Sequence, residues 1–155
     1  MIDDPRVLHL ERLFDAPPER LFAAWTDPSL LRRWFAAEPG WTTPEAEVDI
    51  RIGGSYRLSM RGTDGIVRTV VGKYLEVDPP HRLVYTWRWL AHGDRAADEI
   101  ATVVSVDFVA EGQRTRVVLE QRGHESEADL DSHDRGWRGC LDKLEQLVLA
   151  EARAV

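Results

Sequence analysis

From residue 126 to 152 the side chains Trp137, Cys140, Leu141, Leu144, Leu147 and Val148 recur at spacings of three and four. That pattern is one apolar stripe on a helix, and at 1.5 Å per residue such a helix is roughly 40 Å long. A stripe of this length needs a cover of similar length, and the chain upstream supplies one. Residues 82–90 alternate, with Leu83, Tyr85, Trp87 and Trp89 on one face and Arg82, Val84, Thr86 and Arg88 on the other, the period of a half-buried strand. In 99–109, Ile100, Thr102, Val104, Val106 and Phe108 share a face; in 114–122, Thr115, Val117, Leu119 and Gln121 do. Turns as short as Glu111-Gly112-Gln113 join strands that pair antiparallel. A meander with one apolar face and a single long apolar helix bury each other when the sheet curls around the helix.

The N-terminal half fits this scheme. Residues 7–14 alternate, with Leu8, Leu10 and Phe14 sharing a face with Arg12. Pro17-Pro18-Glu19 opens a short helix, since proline is tolerated in the first turn. Asp27-Pro28 ends that helix and starts another, with Asp27 as N-cap and Leu30, Leu31, Trp34 and Phe35 on one face. Pro39, Gly40 and Pro44 make 36–44 a loop. Extended runs over 46–52 and 55–61 flank Gly53-Gly54 as a hairpin, and a further strand covers 66–77 before Asp78-Pro79-Pro80.

A chain of 155 residues with no linker or repeat is expected to be one domain over 1–155, its core over about 6–150. With 43% hydrophobic and 30% charged residues it has the composition of a folded chain. The net charge of −7, with basic residues scattered, argues against nucleic acid or an anionic membrane as the main partner. No apolar run approaches the ~20 residues of a membrane span. Met1-Ile2-Asp3-Asp4-Pro5 lacks the apolar segment of a signal peptide, so a cytoplasmic location is expected. One cysteine, Cys140, excludes an internal disulfide framework; on the apolar stripe it reads as a buried, inert thiol.

Several stretches carry a family resemblance. They are Arg12-Leu13-Phe14-Asp15-Ala16-Pro17, then Ala24-Trp25-Thr26-Asp27-Pro28 running to Arg33-Trp34-Phe35, then Ile52-Gly53-Gly54-Ser55-Tyr56, and Gly136-Trp137 followed by Leu141 and Leu144. Asp78 to Trp87 and Gly112 to Val117 fit between them. In this order the chain resembles the activator of heat-shock-protein-90 ATPase homologue 1-like family, of the SRPBCC or START-like superfamily. The resemblance implies an α+β helix-grip fold, a curved antiparallel sheet wrapped around a long C-terminal helix, with two short helices after the first strand. On function it implies first the binding of a small hydrophobic or aromatic molecule in a cavity between sheet and C-terminal helix. The alternatives are a polyketide cyclase/dehydratase-like or hydrolase enzyme using that cavity, and a chaperone-interacting module.

The residues that would line the cavity are Trp34, Tyr56, Tyr85, Trp87, Trp89, Thr102 and Trp137, six aromatics and one hydroxyl drawn from separate elements. The plainer reading is that the aromatics fill an ordinary core where helix and sheet diverge. Arg12 and Gln121 sit on inward faces, either to orient a ligand or near strand ends reaching solvent. Gly136 and Gly139 inside the long helix point to close packing, or in the case of Gly136 to room beside Trp137. His124 and His133 stand among Glu125, Glu127, Asp129, Asp131 and Asp134, which reads as a solvated loop and helix start rather than a metal site. No cofactor or metal is expected, and the pattern names no catalytic residue. Val84, Thr86, Val103 and Ser105 on the outward strand faces suit a solvated sheet face or a homodimer contact.

Overall fold

The computed structural model describes residues 6–153; Met1–Pro5, read above as lacking the apolar segment of a signal peptide, lie outside the described residues. The elements run β1 (Leu8–Phe14), α1 (Pro18–Thr26), α2 (Pro28–Trp34), β2 (Thr42–Val48), β3 (Ser55–Arg61), β4 (Val67–Asp78), β5 (Arg82–Trp89), β6 (Thr102–Glu111), β7 (Arg114–Arg122) and α3 (Glu127–Arg153). The seven strands form one antiparallel sheet in the order β1-β7-β6-β5-β4-β3-β2. The sheet curls into a half-barrel around α3, and α1 and α2 close one end. Among the described residues no helix is long and apolar enough to cross a membrane.

Local chemistry sets the boundaries. Asp27 caps α2, its carboxylate accepting from the Ser29 amide at 2.9 Å, and Pro28 follows where a missing N–H costs nothing. Ser126 caps α3 by accepting from the Asp129 amide at 3.1 Å. The stripe on α3 is buried as its spacing requires, with Leu144 fully covered and Trp137, Cys140 and Leu141 nearly so. Inward residues of β5 to β7, among them Leu83, Val104, Val106, Val117 and Leu119, are likewise covered.

Two boundaries differ from the sequence reading. The segment expected to be loop through residue 44 becomes strand at Thr42, and residues 49–52 leave the sheet instead. Pro44 is tolerated because β2 is an edge strand and its register shifts between Thr42 and Glu45. Ile100, expected to face inward, is 76% exposed. There the Asp98 carboxylate accepts from the Trp89 amide at 3.0 Å and the Asp98 amide donates to the Trp89 carbonyl at 3.0 Å, so the chain is still turning. Pairing with β5 starts only at Thr102, opposite Trp87.

Candidate functional site

A cleft of about 390 Å³ opens between α3, the sheet and the segment that follows α2. Its floor is aromatic: Phe35, Trp87 and Trp137 lie with ring centroids 5.3 to 6.4 Å apart, in tilted and edge-to-face arrangements. Trp89 stands edge-to-face on Trp87 at 5.3 Å. Met60 and Cys140 complete the apolar surface. The size falls within the ~300–1,000 Å³ common for small-molecule sites.

The sequence forms this wall because residues 87 and 89 of β5 point the same way while α3 passes over them. A buried relay fixes the crossing. The Trp137 indole donates to Gln121 Oε1 at 2.8 Å, Gln121 Nε2 donates to Thr102 Oγ1 at 2.8 Å, and Thr102 Oγ1 donates to the Trp87 carbonyl at 3.4 Å. Gln121 is completely buried, so it neither reaches solvent nor faces a ligand; its amide is used up holding a helix residue to two strands. Thr102, expected to line the cavity, is buried in the same relay and is not part of the cleft lining. Arg12 stays on the inward face with Leu8 and Leu10 and pairs there with the exposed Asp142 on α3 at 2.8 Å.

Of the residues expected to line a cavity, Trp87, Trp89 and Trp137 do so here. Trp34, Tyr56 and Tyr85 do not line this cleft: they pack in the core with Trp25, Leu31, Leu58 and Leu83, where the remaining void is about 10 Å³, and Tyr56 also borders a hollow on the opposite face of the sheet. The reason is the position of α1 and α2, which push Trp25 and Trp34 into that end of the half-barrel. Trp34 donates to the Ala24 carbonyl at 2.9 Å and Trp25 to the Tyr85 hydroxyl at 3.3 Å, so the rings are satisfied internally. Burial raises the phenols of Tyr56, Tyr74 and Tyr85 well above their ordinary range.

The second wall comes from the stretch between α2 and β2. Lys143 on α3 donates to the Glu38 and Trp41 carbonyls at 2.7 and 3.1 Å, and Thr43 donates to the Phe35 carbonyl. Burial pulls the Lys143 ammonium below its usual value. Close approach is permitted by Gly139, where a Cβ would stand 1.7 Å from the Ala37 carbonyl oxygen. Gly136 is different: a Cβ there would meet only the Ala37 methyl at 3.7 Å, and the residue lines the cleft beside Trp137. Cys140 is fully buried and its thiol is pushed up to about 12 by desolvation, which leaves it a poor nucleophile.

The polar part of the lining departs most from the sequence reading. His124 and His133, read as solvated, are both buried, and Asp129 lies between them. The Asp129 carboxylate meets His124 Nδ1 at 2.9 Å and His133 Nδ1 at 3.5 Å. His133 Nε2 accepts from the Trp89 indole at 2.9 Å, so its Nδ1 carries the proton and donates to the Asp129 carbonyl at 2.9 Å. Burial would raise the Asp129 carboxyl, but the His124 hydrogen bond and the nearby His133, His124 and Arg95 bring it below its ordinary value. Burial lowers His133, against the pull of Asp129, so it is neutral at pH 7. Three donor atoms within 4.8 Å of one another form a metal-like grouping. In this arrangement both nitrogens of His133 are already engaged, and of the ring nitrogens in this grouping His124 Nε2 is the one buried without a partner among the described residues. His133 faces the cleft and lies four residues before Trp137 on the same helical stripe; that spacing was the signal for its burial.

The mouth is basic. Arg68, Arg95 and Arg135 line it with His92, opposed by one carboxylate, Glu38. Arg68 stacks on Trp41 at 4.6 Å and pairs with Asp64 at 2.9 Å. A shallower hollow of about 670 Å³ lies on the opposite face, bordered by Arg57, Lys73 and Arg88 without the packed aromatic floor of the cleft.

The profile of the family described as Activator of Hsp90 ATPase homolog 1-like protein matches residues 15–149. Solved structures agree over the whole fold. An AHSA1 protein from Silicibacter pomeroyi is 27% identical, with a TM-score of 0.81 over 94% of this chain and 99% of that one. An AHSA1-like protein from Aeromonas hydrophila is 26% identical, with a TM-score of 0.78 over 94% of each. An uncharacterized protein of Schizosaccharomyces pombe is 33% identical over 75 residues, which is 48% of this chain and 18% of that relative's length. With the half-barrel, the gripped helix and the matched span in agreement, the chain belongs to the activator of Hsp90 ATPase homologue 1-like family, with the START-like fold.

Proposed function

We propose that this protein binds a small hydrophobic or aromatic molecule in the cleft between the sheet and α3. The observation that carries the reading is the aromatic floor of Phe35, Trp87 and Trp137 within a pocket of about 390 Å³. These rings offer apolar area in a fixed geometry, because Trp137 is held through Gln121 and Phe35 through the Thr43 hydroxyl. A ligand seated there loses little side-chain entropy on binding.

A second reading, an enzyme acting by general acid–base chemistry in the same cleft, is favoured by one feature. His133 is neutral, buried, supported by Asp129 and placed on the lining. Its Nε2 lone pair accepts from Trp89, so Trp89 must turn away before that nitrogen can take a proton from a substrate.

The experiment is native mass spectrometry of freshly purified protein, then thermal shift against apolar metabolites, then indole ¹H–¹⁵N spectra with the best hit. A ligand at ~100 times its Kd adds about 2.7 kcal/mol, roughly 5–11 °C for a domain of this size. The indole signals of Trp87, Trp89 and Trp137 should move, while those of Trp25 and Trp34 stay. Movement of Trp25 and Trp34 instead would place the ligand in the core and refute the cleft assignment. Absence of any mass or shift would move the chaperone-interaction reading ahead. Loss of turnover in His133→Gln with binding retained would establish the enzyme reading.

A further inference from the structure

We infer that the ligand of this cleft is an apolar acid: a hydrophobic or aromatic body carrying one anionic group, received at Arg135. This rests on the cleft reading above and names the chemical class of its occupant.

The first argument is charge. The chain is acidic overall, at −7, yet the cleft lining reverses that sign, with three arginines against one glutamate. Two of the arginines are already neutralised. Arg68 pairs with Asp64 at 2.9 Å, and Arg95 sits between Asp98 at 3.2 Å and Asp129 at 3.6 Å. Arg135 is uncommitted; among the described residues it has no hydrogen bond or ion pair. The neighbouring carboxylate that might have neutralised it, Asp134, is taken by Arg138 at 2.9 Å. A free guanidinium at the edge of an aromatic floor offers up to five N–H donors and no acceptor.

The second argument is the balance of donors and acceptors. The Trp89 and Trp137 indoles are satisfied by His133 and Gln121. The Trp87 N–H is buried with no acceptor among the described residues. His133 has its acceptor nitrogen occupied. The walls therefore have donors to spare and few acceptors, which suits a carboxylate or sulfonate and disfavours an amine or a polyol. An ammonium ligand would also meet the unneutralised positive charge of Arg135.

The test uses two probes of one skeleton on the full chain: 1-anilinonaphthalene-8-sulfonate and its neutral counterpart N-phenyl-1-naphthylamine, each followed by fluorescence titration. The anionic probe should bind about tenfold more tightly in low salt, and Arg135→Gln should remove most of that difference. Arg135→Lys should restore part of it, and the neutral probe should respond to neither change. Arg135 is exposed, so these variants keep the fold, and circular dichroism verifies this. Equal affinity for the two probes, or an anionic affinity indifferent to Arg135→Gln, overturns the inference and leaves the cleft reading standing. Failure of both probes to bind, with neither displacing a Trp87 or Trp137 indole signal, overturns both.

Discussion

Two glycines three residues apart in α3 should respond with opposite sign to the same substitution. In Gly136→Ala the new Cβ lies 3.7 Å from the Ala37 methyl, an ordinary contact. The helix gains the usual Gly-to-Ala difference, about 1 kcal/mol. In Gly139→Ala the same gain is available, but the Cβ would lie 1.7 Å from the Ala37 carbonyl oxygen and 2.7 Å from its carbon. Those are backbone atoms, so no side-chain rotation relieves the overlap, and the segment must withdraw by more than an ångström. Overpacking costs about 1–3 kcal/mol, and a backbone clash this deep belongs at the upper end. The two variants should then differ by roughly 3 kcal/mol, which is roughly 6–12 °C in Tm for a domain of this size. Thermal unfolding followed by far-ultraviolet circular dichroism reads the difference directly. Gly139→Ala should also loosen the Lys143 bonds to Glu38 and Trp41, and with them one wall of the cleft. Equal Tm shifts of the same sign would show that α3 does not approach Ala37 as closely as described, and would refute the reasoning.

Two further outcomes follow from the same structure. Gln121→Leu leaves the Trp137 N–H buried without its acceptor, a cost of about 1–3 kcal/mol by urea titration, and should weaken binding of any apolar probe because Trp137 is no longer held; unchanged stability would show that the relay is incidental. Because His133 is held below 6.5 in the fold, the unfolded chain binds more protons just under that pH, so stability is fully present above pH 6.5 and falls as pH drops toward the folded value. His9, raised by Glu11 and Glu120, acts with the opposite sign in that window, but it is half exposed and its effect is small. Tm should decline from pH 7 to pH 5, and His133→Gln should flatten that decline; parallel profiles for the two proteins would remove His133 as the cause.

The architecture was legible because its causes are local. Alternation in β5 and β7, the Asp27-Pro28 junction and the stripe from Trp137 to Val148 each need only a few neighbouring residues to be read, and each lies where its spacing placed it. The misread positions are those where a distant partner overrides the local signal. Pro44 looked like a loop residue until an edge strand with a register shift gave it a place. Ile100 looked inward until Asp98 held the chain in a turn.

The cleft divides along the same line. That aromatics would gather between sheet and helix followed from which faces were apolar. Which of them remained open to a ligand did not, because it depends on how far α1 and α2 fill one end of the half-barrel. Trp34, Tyr56 and Tyr85 fell to the filled end, and Trp87, Trp89 and Trp137 to the open one. His133 read in sequence as part of an acidic, solvated helix start, and nothing in the local pattern singled out Arg135. Only the crossing of α3 over β5 turned one into a buried partner of Trp89 and left the other unpaired at the mouth. Periodicity fixes which side of an element meets the core; the chemistry of a site is fixed by what the other elements bring to that side, and no local pattern records it.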